Sequence, residues 1–400
     1  RTFILPLLTV LSMVCTAHAQ EPQVRRCMDM GPNQNAVAAI GYGLKRIKAK
    51  EVDIDDRPVT IMPVMAGLRG PALTLLGRDV RLAVTQGQSS PQELWHHAQW
   101  NVDPITDCPP LTRWNWLTRL NRDTQWHVRS DVQMGFTDTY PRFLYRARVI
   151  PGVTITRPRG FIFGGALAYT LGGNADALAR IEDEREPVRR DMESFAHNGE
   201  ITMERLYLSW HTTPVSDVHV GVTAGYLEEM YGGAGGEMIW RPFGSAFWTG
   251  VDAWALWRRD PDSAWNHAWG DHHFTGHVRA GYDVPFSTTT FTLAAGQYLA
   301  GDHGATVGVS QQISTRARLE AGLTWTDRRE DQGMIGDTHF DGMMRLTWTM
   351  GPRSDARVTM RQMGRDGGQM LERPLPIETF TEPLSARSIL RDWNRLLDPL

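Results

Sequence analysis

From about residue 123 onward, apolar and polar residues alternate with a period of two in segments of roughly ten residues. In residues 316–326, Ala317, Leu319, Ala321, Leu323 and Trp325 alternate with Arg316, Arg318, Glu320, Thr324 and Thr326. Trp126, Val128, Val132 and Met134 alternate with His127, Arg129, Asp131 and Gln133. Val218, Val220, Val222, Ala224 and Tyr226 oppose His219, Gly221, Thr223 and Gly225. The same pattern marks residues 143–149, 161–170, 201–210, 235–240, 247–257, 274–282, 291–299, 305–312, 343–350 and 356–363. Each such segment is a strand with one apolar and one polar face. A soluble sandwich can supply a few of these. A dozen predict an antiparallel transmembrane β-barrel of about 12–14 strands, with Leu319, Leu323, Trp325, Leu346 and Trp348 facing outward. Connections alternate between tight (283–287) and long (258–273), and 172–199 reads as a charged surface loop with a helical piece.

Outside this region the pattern changes. Residues 35–50 have helical character, and 59–66 and 72–84 read as short strands. Ser90, Pro91 and Glu93 form a helix start, with Ser90 as N-cap and Glu93 three residues on. Together these predict a small α/β domain, periplasmic in an outer-membrane protein. In residues 385–397, Ile389, Leu390, Trp393, Leu396 and Leu397 recur at helical spacing. The expected organisation is a signal peptide at 1–19, the α/β domain at 20–120, the barrel at 121–365, and a periplasmic tail with a short helix at 366–400.

Residues 3–14 are apolar, and Ala17-His18-Ala19 offers small residues for cleavage before Gln20. Val14 before Cys15 does not fit a lipidation site, so ordinary cleavage after Ala19 is expected. Cys27 and Cys108 would remain; an oxidising periplasm would let them pair, and two free thiols is the other reading. No later apolar run reaches ~18 residues, which argues against helical spans. The 38 Gly and 15 Trp suit strands, turns and aromatic belts. A net charge of -3 gives no general affinity for polyanions, so no nucleic-acid partner is read.

Several stretches resemble the YjbH/GfcD family of exopolysaccharide-associated, group 4 capsule-type outer-membrane proteins. They are residues 225–242 (GYLEEMYGGAGGEMIWRP), 297–306 (QYLAGDHGAT), 90–95 (SPQELW), 204–208 (ERLYL) and 365–369 (RDGGQ). The resemblance implies a Gram-negative outer-membrane barrel that takes part in export of a polysaccharide and not in its synthesis. Partners implied are the exopolysaccharide, membrane lipid and other export proteins. Larger members look like two barrels on one chain, and this chain is similar to their C-terminal part. A general porin and a secreted β-protein that binds or cleaves polysaccharide are the alternatives.

The candidate chemistry is mostly electrostatic. Arg129, Arg205, Arg279, Arg318, Arg345 and Arg361 fall on polar strand faces, as do Arg146, Arg148, Arg316 and Arg357. They are read either as a basic lumen contacting an acidic polymer or as partners of carboxylates in a salt-bridged interior. Trp265 and Trp269, in an expected external loop, are candidates for sugar stacking, while Trp254 and Trp257 read as interface girdle. Glu228 and Glu229 are adjacent, so a strand would point them to opposite faces. The Gly-rich run 231–236 lacks the following helix of a phosphate loop and reads as a turn or a Gly-lined wall. His267, His272, His273 and His277 lack a ligand spacing for a metal. No catalytic group, cofactor or metal site is assigned.

Overall fold

The structure, a computed structural model, describes residues 24–30, 36–50, 57–86, 89–102, 124–136, 143–174, 195, 200–260, 267–327, 339–362 and 367–396. The N-terminal part contains β1 (Val24–Met30), α1 (Ala36–Lys50), β2 (Pro58–Met65), β3 (Leu68–Arg69), β4 (Ala72–Leu76), α2 (Gly77–Arg81), α3 (Pro91–His97) and β5 (Gln99–Asn101). Its sheet has the order β1-β2-β4-β5, with β1 parallel to β2 and β3 hairpinned onto β2. Ala36, Val37, Ile40 and Leu44 form the buried stripe of α1, in one core with Val59, Ile61 and Met65. The strand expected over 72–84 stops at Leu76. Beyond Gly77 the buried residues are Val80 and Ala83, at helical spacing, and the chain makes α2 and a π turn at Leu82–Gln86.

The start of α3 carries a full capping box: the Glu93 N–H donates to Ser90 Oγ (3.3 Å) and the Ser90 N–H donates to Glu93 Oε2 (3.0 Å). That backbone bond, with help from Ser89, holds the Glu93 carboxyl below its ordinary pKa. The reciprocal contact is therefore present at neutral pH and lost as acid protonates Glu93. Ser90→Ala should remove about 1 kcal/mol from the helix start, so α3 amides should exchange with solvent about fivefold faster. Unchanged exchange would mean that packing alone holds α3.

The barrel strands are β6 (Thr124–Phe136), β7 (Phe143–Arg157), β8 (Phe161–Gly173), β9 (Ile201–Val215), β10 (Val218–Tyr226), β11 (Tyr231–Trp240), β12 (Phe247–Arg259), β13 (His267–Asp283), β14 (Thr289–Gln297), β15 (His303–Gln312), β16 (Ala317–Thr326), β17 (His339–Gly351) and β18 (Ser354–Gln362). Even the 9-residue strands, such as β10, are long enough to cross a bilayer. Along β12 exposure alternates strictly from Phe247 to Leu256, with Trp248, Asp252, Trp254 and Leu256 inside and Phe247, Val251 and Ala253 outside. The outer surface is apolar and carries two aromatic belts. Trp126, Phe161, Trp210, Trp240, Phe247 and Trp348 ring one end, and Phe136, Phe143, Tyr145, Tyr169, Phe274 and Trp325 ring the other. Leu323, Trp325 and Trp348 are exposed as expected. No helix among the described residues is long and apolar enough to cross a membrane.

At one end of the barrel the connections have two to six residues; this is the turn end. At the other, loop end the connections run from four to 27 residues. The two shortest there, Leu227–Met230 and Tyr298–Asp302, fold into the bore with Leu227, Met230, Tyr298 and Leu299 buried. Consecutive strands pair antiparallel, but thirteen is odd, so the closing pair β18–β6 is parallel. This seam determines the path of the chain. β6 starts at the turn end, so β18 finishes at the loop end.

Residues 367–396 run back through the bore. The Gly368 N–H donates to Asp302 Oδ2 (2.7 Å) at the loop end. Further along, Glu372 meets Arg345, and α4 (Ile377–Thr381) presents Glu378 to Arg279. A segment that ion-pairs with inward side chains on separate walls lies in the lumen. From sequence, residues 366–400 are expected outside the barrel; of the described residues, those from Gly368 to Glu382 lie in the bore instead, because the odd strand count leaves the end of β18 at the loop end.

The tail ends at the turn end in α5 (Ala386–Asp392) and a 3-10 turn, Trp393–Arg395. Trp393 Nε1 donates to the Pro91 carbonyl (2.5 Å), and its ring packs against both Trp95 and Trp100, which also touch each other. The N-terminal part is seated on the same end. Gly67 and Gly160, at φ +86 and +83, meet backbone to backbone, and a Cβ on Gly160 would strike the His211 carbonyl. The Arg69 N–H donates to Thr213 Oγ1 (2.9 Å) beside this contact.

Candidate functional site

The lumen is filled in layers. At the loop end, Leu144, Leu227, Met230, Tyr231, Trp254, Leu256, Leu299 and Leu371 form an apolar closure. The Leu299 N–H donates to the Gln369 carbonyl (3.1 Å), which ties the tail into it. Trp254 is 1% exposed and faces the bore, so it is not part of the girdle. Its strand neighbours on that face, Asp252 and Leu256, are also buried, and the polar face of β12 is thus half apolar.

Beneath this closure lies a charged layer. Arg148 Nη1 donates to Glu204 Oε2 (2.8 Å) and Glu229 Oε1 (3.1 Å), and its Nη2 donates to Asp131 Oδ2 (2.7 Å). Arg357 Nε donates to the other Asp131 oxygen (2.6 Å). Arg146 Nη2 donates to Glu229 Oε2 (2.7 Å). Glu228 Oε2 accepts the Glu372 N–H of the tail (2.9 Å). Glu228 and Glu229 both point inward because they sit in a bend and not in a strand. The opposite-face expectation fails for that reason.

Further toward the turn end the tail supplies the countercharges. Arg279 ion-pairs with Glu237 (3.0 Å), Asp252 (3.0 Å) and Glu378 (2.9 Å). Arg373 joins Glu237 and Glu378. Arg318 meets Glu320 (3.2 Å) and Glu382 (2.9 Å), and Arg345 meets Glu372 (2.9 Å). Arg387 meets Asp283 (3.3 Å). Such pairs are held by mutual compensation: removing one member leaves the other desolvated.

Of the arginines singled out from the sequence, Arg129, Arg205, Arg279, Arg318 and Arg345 all face the bore in ion pairs. Arg129 bonds Asp355 (2.7 Å) and Arg205 bonds Glu204 (3.4 Å). Arg361 pairs in register with Gly135 and Met343 and makes its own contacts. Among the described residues these cations form no continuous, uncompensated basic wall, because the bore and the tail answer them with carboxylates. Trp269 lies in β13 and not in a loop, since that strand begins at His267; Trp265 lies outside the described residues. Cys27 is disulfide-bonded, and Cys108 lies outside the described residues. The tail residues Glu372, Arg373, Glu378, Glu382 and Arg387 escaped the sequence reading. Their signal was the recurrence of charged residues around Pro374, Pro376 and Pro383, after the last strand.

Cavities lie beside the tail in the turn-end half of the bore. One, of about 330 Å³, lies between Pro374–Phe380 and strands β6 to β9; Gln125, His127, Arg129, Thr154, Arg205 and Tyr207 line it. The other, of about 170 Å³, lies against Trp248, Arg279, Thr292 and Arg318.

The stretches that carry the family resemblance converge on these layers. Residues 225–242 contribute the bend with Glu228 and Glu229, and then Glu237. Leu299 and Asp302 of 297–306 meet Gln369 and Gly368 of 365–369 at the loop-end closure, and 204–208 bring Glu204. Residues 90–95 hold the far end of the tail.

A family model described as "Exopolysaccharide biosynthesis protein YbjH" matches residues 74–381. A curated relative, "Uncharacterized lipoprotein YjbH" of Escherichia coli (strain K12), is 24% identical over 357 residues, covering 85% of this chain and 50% of that protein. The chain thus spans about half the length of this relative. Among solved structures, "Salmonella typhi OmpF complex with Daunomycin" matches with a TM-score of 0.32 and 11% identity, over 61% of this chain and 90% of that one. "Anion-selective porin from Comamonas acidovorans" matches with a TM-score of 0.28 and 10% identity, over 57% and 84%.

Proposed function

The chain belongs to the YjbH exopolysaccharide biosynthesis family, and from that premise we propose that it is a non-enzymatic outer-membrane barrel that helps an exopolysaccharide leave a Gram-negative cell. The observation that carries the reading is a closed barrel, apolar outside and belted with aromatics, whose bore is charged and holds its own tail. Short turns of such barrels face the periplasm. That orientation puts the N-terminal α/β part and α5 in the periplasm, where other export proteins can dock. A general diffusion porin needs a standing aqueous bore, and the ion-paired tail gives that reading no support.

The test compares a strain lacking the chain with one complemented by it, measuring polymer in the medium and in the periplasm. The deletion should retain polymer in the periplasm, and complementation should restore release. Equal release from both strains would sink the export reading. Heat-modifiable migration of the purified protein checks the barrel separately.

A further inference from the structure

We propose that the 330 Å³ cavity beside Arg129 and Arg205 is a binding site for a carboxylate-bearing saccharide segment, an inference that rests on the export reading. Its volume is at the lower end of the ~300–1,000 Å³ typical of small-molecule sites.

The first argument is an excess of donors. Arg129 uses only Nε, on Asp355, and Arg205 uses only Nη2, on Glu204 at 3.4 Å, among the described residues. Glu204 is shared with Arg148, which holds it more tightly at 2.8 Å. Of the charged side chains lining the cavity, two are guanidiniums and one, Asp355, is a carboxylate. Elsewhere in the bore the balance is different: Arg148 and Arg279 each meet three carboxylates. Guanidiniums match carboxylates by paired, planar hydrogen bonds.

The second argument is local backbone design. The β8–β9 register shifts between Ala166, opposite Arg205, and Leu167, opposite Met203, so Glu204 is an extra residue. Such a bulge re-aims side chains. Without it, Glu204 and Arg205 would alternate and one charge would face lipid. With it, Glu204 joins the charged layer and Arg205 enters the cavity.

The third argument is the rest of the lining. Tyr207 and Phe380 give ring surface, and Gln125, Thr154 and Thr379 give amide and hydroxyl groups. A site for a bare anion needs neither rings nor this volume. A sugar ring, apolar on its faces and polar at its edge, needs both.

The test is calorimetric titration of the full chain in detergent with a tetrasaccharide of alternating glucuronic acid and N-acetylglucosamine, and with neutral cellotetraose. The acidic probe should bind about tenfold or more tightly than the neutral one, and the difference should shrink at high salt. Arg205→Gln should weaken the acidic probe about tenfold, while Arg316→Gln, on an exposed turn, should not. Retained heat-modifiable migration shows that the variants are folded. Equal binding of both probes, no binding to the folded wild type, or full affinity in Arg205→Gln would each overturn the proposal. The titration uses no cells, so a deletion strain that still releases polymer would remove the export reading and leave this result standing.

Discussion

Replacing Asp131 with asparagine is expected to destabilise the barrel by about 3–5 kcal/mol. Asp131 is 0% exposed, and its two oxygens serve different partners, Arg148 at 2.7 Å and Arg357 at 2.6 Å. Arg148 keeps Glu204 and Glu229 in the variant. Arg357 keeps only Glu372, at 3.7 Å, and becomes a buried cation without a close countercharge. The expected loss comes mainly from that stranded charge. The double variant Asp131→Asn/Arg357→Gln should therefore regain a large part of it. Urea unfolding of protein folded into micelles reads both. A loss under about 1 kcal/mol for the single variant would mean that water reaches Arg357 and that the layer is not dry.

A charge exchange across the seam should have the second largest effect. Parallel pairing of β6 with β18 sets Arg129 opposite Asp355 and Asp131 opposite Arg357. A slip of two residues keeps every side chain on its face but brings Arg129 against Arg357, or Asp131 against Asp355. The order of signs along the two strands thus selects one register. Asp355→Arg should cost roughly 2–3 kcal/mol by placing like charges side by side. Arg129→Asp in addition should recover more than half, as a coupled pair requires. If the two changes simply add, the seam is held by backbone pairing and the charges do not choose its register.

The strands were legible because each offers several side chains to a period of two, as in Phe143, Tyr145, Ala147 and Val149 against Leu144, Arg146 and Arg148. The pattern fails where side chains are absent or the backbone departs from regular pairing. β11 begins at Tyr231, but Gly232, Gly233, Gly235 and Gly236 carry no side-chain signal, and only its later residues read as strand. Glu204 and Arg205 break the alternation through a bulge that depends on the partner strand. Trp248 and Trp254 are apolar yet face the bore, because the interior is part apolar closure and part ion-pair layer. The arginine positions were visible, but their partners were not. Glu372, Glu378 and Glu382 come from a segment with no period, placed by the parity of the strand count and not by local composition.

That parity makes the tail a drawcord. One end is knotted into the loop-end closure at Gly368 and Leu371, and the other is made fast at the turn end by Trp393. The stretch between them is gripped at intervals by charged side chains along its length. The covalent path from α5 at the turn end to the loop-end closure is therefore the tail itself, inside the wall and apart from it. The same cord limits slack in the other direction, since the loop-end closure and the turn-end foot share one length of chain.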